Sequence, residues 1–431
     1  MKAFSAKNFV LCLIVTSTLS FSQSRWNVRF GTEEFTGLQC KDLSWDRPDA
    51  VSIGPAGDIY VSGSNSHSTG EPKPNTIGAW VMKFTPEGKL VWFVCPSESF
   101  VECNPRLLST VTERGVLLVG HGKYYYRQGE LNVYLCTPSG EIKNAIIPCK
   151  DIRVKMDNQI YPTEVTDYPV LVSQDKEGNI RVVLCTTIRI ERKAGDNLTI
   201  SEPIQKLSLI FLTPDLKFSG GTVLDFPPLL YKYDEISYRS HFNAEAGTDG
   251  SFVLSLRDKD TYKNIIITKF DKNGNKLWSV QRGHPEGFFQ HNINYLSTGE
   301  VVSVVFTGKN DEYSIFDAAG NEIKKFAVKN EGAVAKVKAI DNDFVMLYQL
   351  NSAGEGTVVV KKVNSRGEVL WKKTFGQSSS YGIDLEVGQD KSIVVLAYTK
   401  EFGACNLDGM LVKMDKDGNT EAIPKKYTRA N

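Results

Sequence analysis

A segment that recurs seven times between Trp80 and Ile423 predicts an all-β chain closed into a single β-propeller. The clearest copies are Trp80-Val-Met-Lys-Phe-Thr-Pro-Glu-Gly-Lys-Leu-Val-Trp92, Ile265-Ile-Ile-Thr-Lys-Phe-Asp-Lys-Asn-Gly-Asn-Lys-Leu-Trp278 and Val358-Val-Val-Lys-Lys-Val-Asn-Ser-Arg-Gly-Glu-Val-Leu-Trp371. Each is an apolar strand, a Gly-centred turn and a second strand. Weaker copies centre on Gly140, Leu216, Gly320 and Gly418, so the period runs from 46 to 76 residues. A further hairpin precedes every copy. Two hairpins give four strands, which is one blade, and seven pairs predict seven four-stranded blades.

Taken in order, Met1 to Ser22 reads as a secretory signal: Lys2 and Lys7, a short apolar stretch from Phe9 to Val15, then the small residues Ser20 and Ser22 before Gln23. The expected mature domain is 23–431. Trp26-Asn-Val-Arg-Phe-Gly31 stands alone and matches the last strand of a repeat, as in Trp371 to Gly376. Pairing it beside Met410 to Met414 would close the ring, with Thr420 to Ile423 as the alternative occupant. The leading hairpins then run Ala50 to Gly63, Arg106 to His121, Pro169 to Thr186, His241 to Leu256, Asn292 to Thr307, Val334 to Gln349 and Ile383 to Thr399.

Trp92, Trp278 and Trp371 fall at one repeat position, which predicts packing between blades rather than contact with a ligand. Asp271-Lys-Asn-Gly-Asn275 and Asp415-Lys-Asp-Gly-Asn419 look like calcium loops but lack the closing Glu, and their residues are those tight turns require. No metal is expected.

The balance of 51 basic and 50 acidic residues argues against a nucleic-acid surface. No apolar stretch approaches a membrane span. Seven cysteines remain after Cys12 is removed with the signal, and none forms a Cys-x-x-Cys pair. Export permits disulfides, and Cys95 with Cys103 and Cys136 with Cys149 are the expected local bridges.

Turns within hairpins are short, whereas the other connections are long: 64–79, 95–105, 145–168, 187–206, 222–240 and 281–291. In an up-and-down blade the long connections share one face, and function sits on variable loops carried by a rigid scaffold. That face collects His67, His121, Tyr124, Tyr126, Arg127, Tyr238, Arg239, His241, His284, Phe289, His291 and Tyr381. Flat rings with polar tips suit a sugar or a peptide. These are the candidate ligand-binding residues.

No Gly-x-Ser-x-Gly elbow, His-Glu-x-x-His or Gly-rich phosphate loop is present, so no catalytic residue is assigned. The Phe-Asp-Lys-Asn-Gly-Asn-Lys-Leu-Trp type of segment resembles the quinoprotein-like repeats, and the related SBBP-type repeats, of secreted bacterial seven-bladed propellers. That resemblance implies the fold over 25–423. It implies no cofactor, because the adjacent cysteines that lie under the quinone of such dehydrogenases are missing. The sequence therefore points to an exported, monomeric, non-catalytic propeller, periplasmic or extracellular, with a glycan, peptide or protein partner. A hydrolase or lyase acting on an extracellular polymer through channel-facing His, Asp or Glu is the competing expectation.

Overall fold

The computed structural model describes residues 25–421 except 31–44, 68–75, 102–107, 123–129, 194–198, 227–241, 258–262, 284–289, 377–379, 400–407 and the short positions 248, 297, 308, 330–331 and 353–354. The expected signal at 1–22 lies outside the described residues. Strand β1 is Trp26–Phe30. The first blade is β2 (Trp45–Ile53), β3 (Ile59–His67), β4 (Thr76–Phe84) and β5 (Leu90–Val101). The second is β6 (Leu108–Thr112), β7 (Gly115–Gly122), β8 (Glu130–Cys136) and β9 (Ile142–Pro148). The third contains β10 (Arg153–Met156), β11 (Gln159–Gln174), β12 (Ile180–Lys193), β13 (Thr199–Leu212) and β14 (Phe218–Val223). The fourth is β15 (Phe242–Ala246), β16 (Phe252–Arg257), β17 (Asn264–Phe270) and β18 (Lys276–Gly283). The fifth is β19 (Gln290–Tyr295), β20 (Val301–Phe306), β21 (Asn310–Phe316) and β22 (Glu322–Lys329). The sixth is β23 (Ala333–Ile340), β24 (Asp343–Ser352), β25 (Glu355–Val363) and β26 (Val369–Phe375). The last is β27 (Ser380–Val387), β28 (Ile393–Thr399) and β29 (Asp408–Met414), completed by β1.

Six sheets are four-stranded and antiparallel, and consecutive inner strands touch around the full ring from β2 through β27 and back to β2. Closure occurs as the lone N-terminal segment suggests: β1 pairs with β29 from Trp26↔Lys413 to Phe30↔Gly409. Arg25 adds an ion pair to Asp415 at 2.7 Å.

The third sheet departs from the four-stranded expectation. Asp157 and Asn158, at φ 48° and 63°, form a two-residue hairpin turn that folds β10 onto β11. The far edge of β10 meets β14 in parallel at Lys155↔Thr222, which closes this sheet on itself. Ile152 and Val154 are fully buried there, and that burial drives the extra strand into place.

Middle strands such as Val116-Leu-Leu-Val119 are apolar on both faces, and this gives the chain seven cores, one between each adjacent pair of sheets. In β3, Ile59 and Val61 face the last sheet while Tyr60 faces the second. Between the fifth and sixth sheets lies a wholly buried ion pair, Asp311 with Lys361 at 3.8 Å. It is compensated by the Tyr348 hydroxyl, which donates to Asp311, and by the Lys329 carbonyl, which accepts from Lys361 at 3.0 Å.

The recurrent Trp residues pack between blades. Trp92, Trp278 and Trp371 lie on the outermost strand of one sheet and cover Gly140, Gly320 and Gly418 in the turn of the next. Each indole N–H donates to a carbonyl of that turn: Pro138 (3.0 Å), Ala318 (3.1 Å) and Lys416 (3.2 Å). Basic side chains use the same acceptor position. Lys83 reaches Pro138, Arg114 reaches Pro214, Arg181 reaches Lys272 and Lys413 reaches Pro86. The Asp-rich turns are turns: Asp271 Oδ1 accepts from the backbone N–H groups of Asn273 and Asn275, each at 2.8 Å, and Asp415 does the same for Asp417 and Asn419.

The expected Cys136–Cys149 bridge does not form. The two residues sit at opposite ends of the β8–β9 hairpin, about 20 Å of strand apart. Cys136 instead packs between the first two sheets, where burial pushes its thiol up to about 12. Cys103, the expected partner of Cys95, lies outside the described residues.

Two stability experiments follow from this packing. Gly320→Ala places a Cβ 2.8 Å from the Trp278 ring on a backbone at φ +89°, whereas Gly299→Ala has a similar φ and open space. Chemical denaturation should show a cost of about 1–2 kcal/mol for backbone strain at Gly299 and a larger one at Gly320. Deleting residues 25–30 should lower the melting temperature and produce concentration-dependent association, because the edge of β29 is then uncovered.

Candidate functional site

The inner strands alternate between core and channel, and β-bulges reset that alternation where it matters. Bulges fall between Val334 and Lys336 in β23 and between Gly382 and Asp384 in β27. Beyond each bulge the apolar residues Val337 and Leu385 remain in the core while Lys336, Lys338, Asp384 and Glu386 turn toward the channel. Glu245 from β15 meets them.

Lys338 is the centre of this group. Its ammonium lies 2.9 Å from Glu245 and 3.3 Å from Glu386, so two carboxylates from different blades bracket one cation. Lys336 lies 3.8 Å from Asp384, whose Oδ2 accepts from the Val51 backbone N–H at 3.0 Å and ties the last sheet to the first. Burial pushes the Glu245 carboxyl up, but the Lys338 and Lys336 ammoniums outweigh it and hold the group below the usual carboxylate range. Glu386 goes the other way. Burial raises it, Lys338 offsets only part of the effect, and the charges of Glu245 and Asp384 add to it. The Lys338 ammonium is held raised by Glu245 and Glu386 against its own burial.

These residues sit near the C-terminal ends of the inner strands, where the tight turns leave. Beside them a recess of about 180 Å³ opens, lined by Ser52, Gly54, Thr110, Glu386 and Gln389 among others. Sequence reasoning directed attention to the opposite, loop-rich face and missed this group. The legible signal was charge at alternate positions of inner strands, Lys336-Val-Lys338 and Asp384-Leu-Glu386.

At the loop-rich end the blades differ in height. β12 and β13 pair as far as Lys193↔Thr199, 14 residues each, against six and seven in β16 and β17. The six positions beyond Thr187 add about 20 Å of strand. In the first blade β5 has 12 residues and pairs with β4 up to Thr76↔Val101. Between these two blades, the described pairing of β7 and β8 reaches Gly122↔Glu130, and 123–129 lie outside the described residues.

Among the expected site residues, His67 ends β3 opposite Thr76 and His121 lies in β7 opposite Leu131. His291 is in β19 and is 2% exposed. Tyr381 stacks on Tyr398, its cross-strand partner, at 4.9 Å between ring centroids. Tyr124, Tyr126, Arg127, Tyr238, Arg239, His241, His284 and Phe289 lie outside the described residues. Among the described residues no three His, Cys, Asp or Glu side chains gather to hold a metal, and no helix is long and apolar enough to cross a membrane.

The architecture is that of a β-propeller. No protein-family model matches the chain, and no curated protein is similar to it. Among solved structures it is similar to a puromycin hydrolase mutant, with TM-score 0.50 and 13% identity over 89% of this chain and 54% of the other. It is also similar to the polysaccharide lyase Uly1, with TM-score 0.49 and 9% identity over 85% and 90% of the two chains. For a protein of unknown function from Dyadobacter fermentans the TM-score is 0.43 and the identity 12%, over 90% and 98%. The chain spans about half the length of the puromycin hydrolase. At such identities the likeness concerns the fold.

The two channel carboxylates should respond oppositely to substitution. Glu245 contributes stability above the ordinary carboxylate range and loses it as the pH falls, because its folded form resists protonation. Glu386 has the raised value, so the folded state gains stability on acidification through the window above that range. Urea denaturation at pH 7 should show Glu245→Gln costing about 1–2 kcal/mol and Glu386→Gln costing little or nothing. The difference should shrink near pH 4.

Proposed function

We propose that this protein is an exported, monomeric, non-catalytic binding propeller whose ligand, a glycan or a peptide segment of a partner, seats on the loop-rich face above the second blade. The observation that carries this reading is the unequal height of the blades. The tall β12–β13 hairpin and the lengthened β5 flank a second blade whose described strands β7 and β8 are shorter. The connection between β7 and β8 within that blade, 123–129, lies outside the described residues and carries Tyr124, Tyr126 and Arg127 in its sequence. Raised neighbours on both sides support a groove, and the aromatic and guanidinium groups in the sequence of the intervening connection suit ring stacking and hydrogen bonding.

The hydrolase or lyase reading needs an acid and a base. The channel carboxylates are the nearest candidates, but Lys338 holds both in ion pairs, which favours binding over catalysis. Export rests on the leader-like Met1 to Ser22 and predicts mature protein beginning at Gln23.

Thermal melting of residues 23–431 against oligosaccharides, peptidoglycan fragments and peptides tests the reading. A ligand at a hundredfold excess over its dissociation constant should add about 2.7 kcal/mol of stability. The triple variant Tyr124→Ala, Tyr126→Ala, Arg127→Ala should keep the unliganded melting temperature and lose the shift. A shift that survives the triple variant, or a ligand consumed into product, overturns the proposal.

A further inference from the structure

The recess at the turn-side mouth of the channel lies at the end opposite the proposed ligand face and is an independent feature. Its lining residues include Ser52 and Thr110, which carry hydroxyls, Gln389, which carries an amide, the apolar Ile53, Val111 and Val387, and one charged residue, Glu386. We propose that it binds a compact organic ammonium ion, with the Glu386 carboxylate as the counter-charge and the hydroxyls and amide holding a polar substituent of the ligand.

Three observations support this choice. The first is charge: among the described residues, the three carboxylates of Glu245, Asp384 and Glu386 share the two ammoniums of Lys336 and Lys338. The deficit falls on Glu386. Lys338 sits closer to Glu245, at 2.9 Å against 3.3 Å, and among the described residues Glu386 otherwise accepts a backbone N–H from Val387 at 3.1 Å. The carboxylates of Glu245 and Asp384 add negative charge beside Glu386, and that field favours a second cation there.

The second is size. A volume of about 180 Å³ resembles the ~150 Å³ cavity that accommodates benzene, which sets the ligand at roughly six to ten heavy atoms. The third is the donor set. A bare divalent cation demands several oxygen ligands, and one carboxylate with a few neutral groups suits a delocalised or alkylated ammonium better. The fixed parts of the site are rigid. Gly54 is buried at the tight turn after β2 with Tyr60 beneath it, and Glu386 is anchored by a strand aligned by its bulge.

Isothermal titration of residues 23–431 with choline and with butyltrimethylammonium, which lacks the hydroxyl, at constant ionic strength and against sodium chloride, tests the proposal. Saturable 1:1 binding of at least one of the two is expected. Glu386→Gln, a neutral residue of the same shape, should weaken it by about tenfold or more. Thr110→Val, which leaves the charge in place, should weaken choline binding by a severalfold factor. The Tyr124, Tyr126, Arg127 triple variant should bind as the parent does, so failure here is distinct from failure of the loop-face reading. Absence of saturable binding overturns the proposal. So does unchanged affinity in Glu386→Gln, or competition by millimolar calcium or magnesium that displaces the ammonium ion.

Discussion

Burial of both faces of every sheet is the constraint on which the rest of this molecule depends. A sheet with Val116, Leu117, Leu118 and Val119 in one strand cannot stand in water on either side. Each blade therefore needs two neighbours, and a row of such blades is stable only when its ends meet. The N-terminal segment supplies the fourth strand of the last blade, so unravelling at one end must break pairing at the other. Stability becomes a property of the ring rather than of any repeat, in contrast to open solenoids, whose ends are capped separately.

Flat face-to-face packing does not by itself fix the angle between blades, because apolar surfaces slide. The polar latches at the turn end supply direction. The second turn carbonyl, at Pro86, Pro138, Pro214, Lys272, Ala318 and Lys416, accepts from an indole, lysine or arginine of the preceding blade. One geometric requirement, a donor reaching one carbonyl, is met by three residue types at differing sequence positions. The turn glycine makes room for the ring above it, which is why Trp and Gly recur together in the sequence although they contact across blades.

Much of the fold was legible because it is local: hairpins, turn residues and the repeat position of Trp are all short-range signals. Closure was legible because Trp26 to Gly31 copies the end of a repeat. The fifth strand of the third sheet was not read, since Arg153 to Met156 lies within a long connection and gains its partner at Thr222 from the far end of the sheet. The Cys136–Cys149 pairing failed for a related reason. Thirteen positions in sequence look close, yet an antiparallel hairpin places them at its two ends. The alternating charges of the channel group stand in the sequence, but the bulges obscure which side they face. A simple period of two, run through Val334 or Gly382, assigns Lys336 and Asp384 to the core side.

The two ends of the channel obey different physics, and this bears on where ligands can act. At the turn end the described turns close through backbone hydrogen bonds spanning three or four residues and the latches hold neighbouring blades together, so side chains there are aligned by a rigid frame. A small recess with one under-compensated carboxylate can keep its shape without a ligand, and its selectivity is for charge and size. At the loop end, blade height varies by a factor of two between β12 and β16, and shape there comes from lengthened hairpins rather than from the ring. Long hairpins enlarge the surface available to an extended partner, and changing them leaves the seven cores intact. A propeller built this way can alter what its open face recognises by changing strand length alone, while the charge arrangement at the closed end stays fixed by the bulged inner strands.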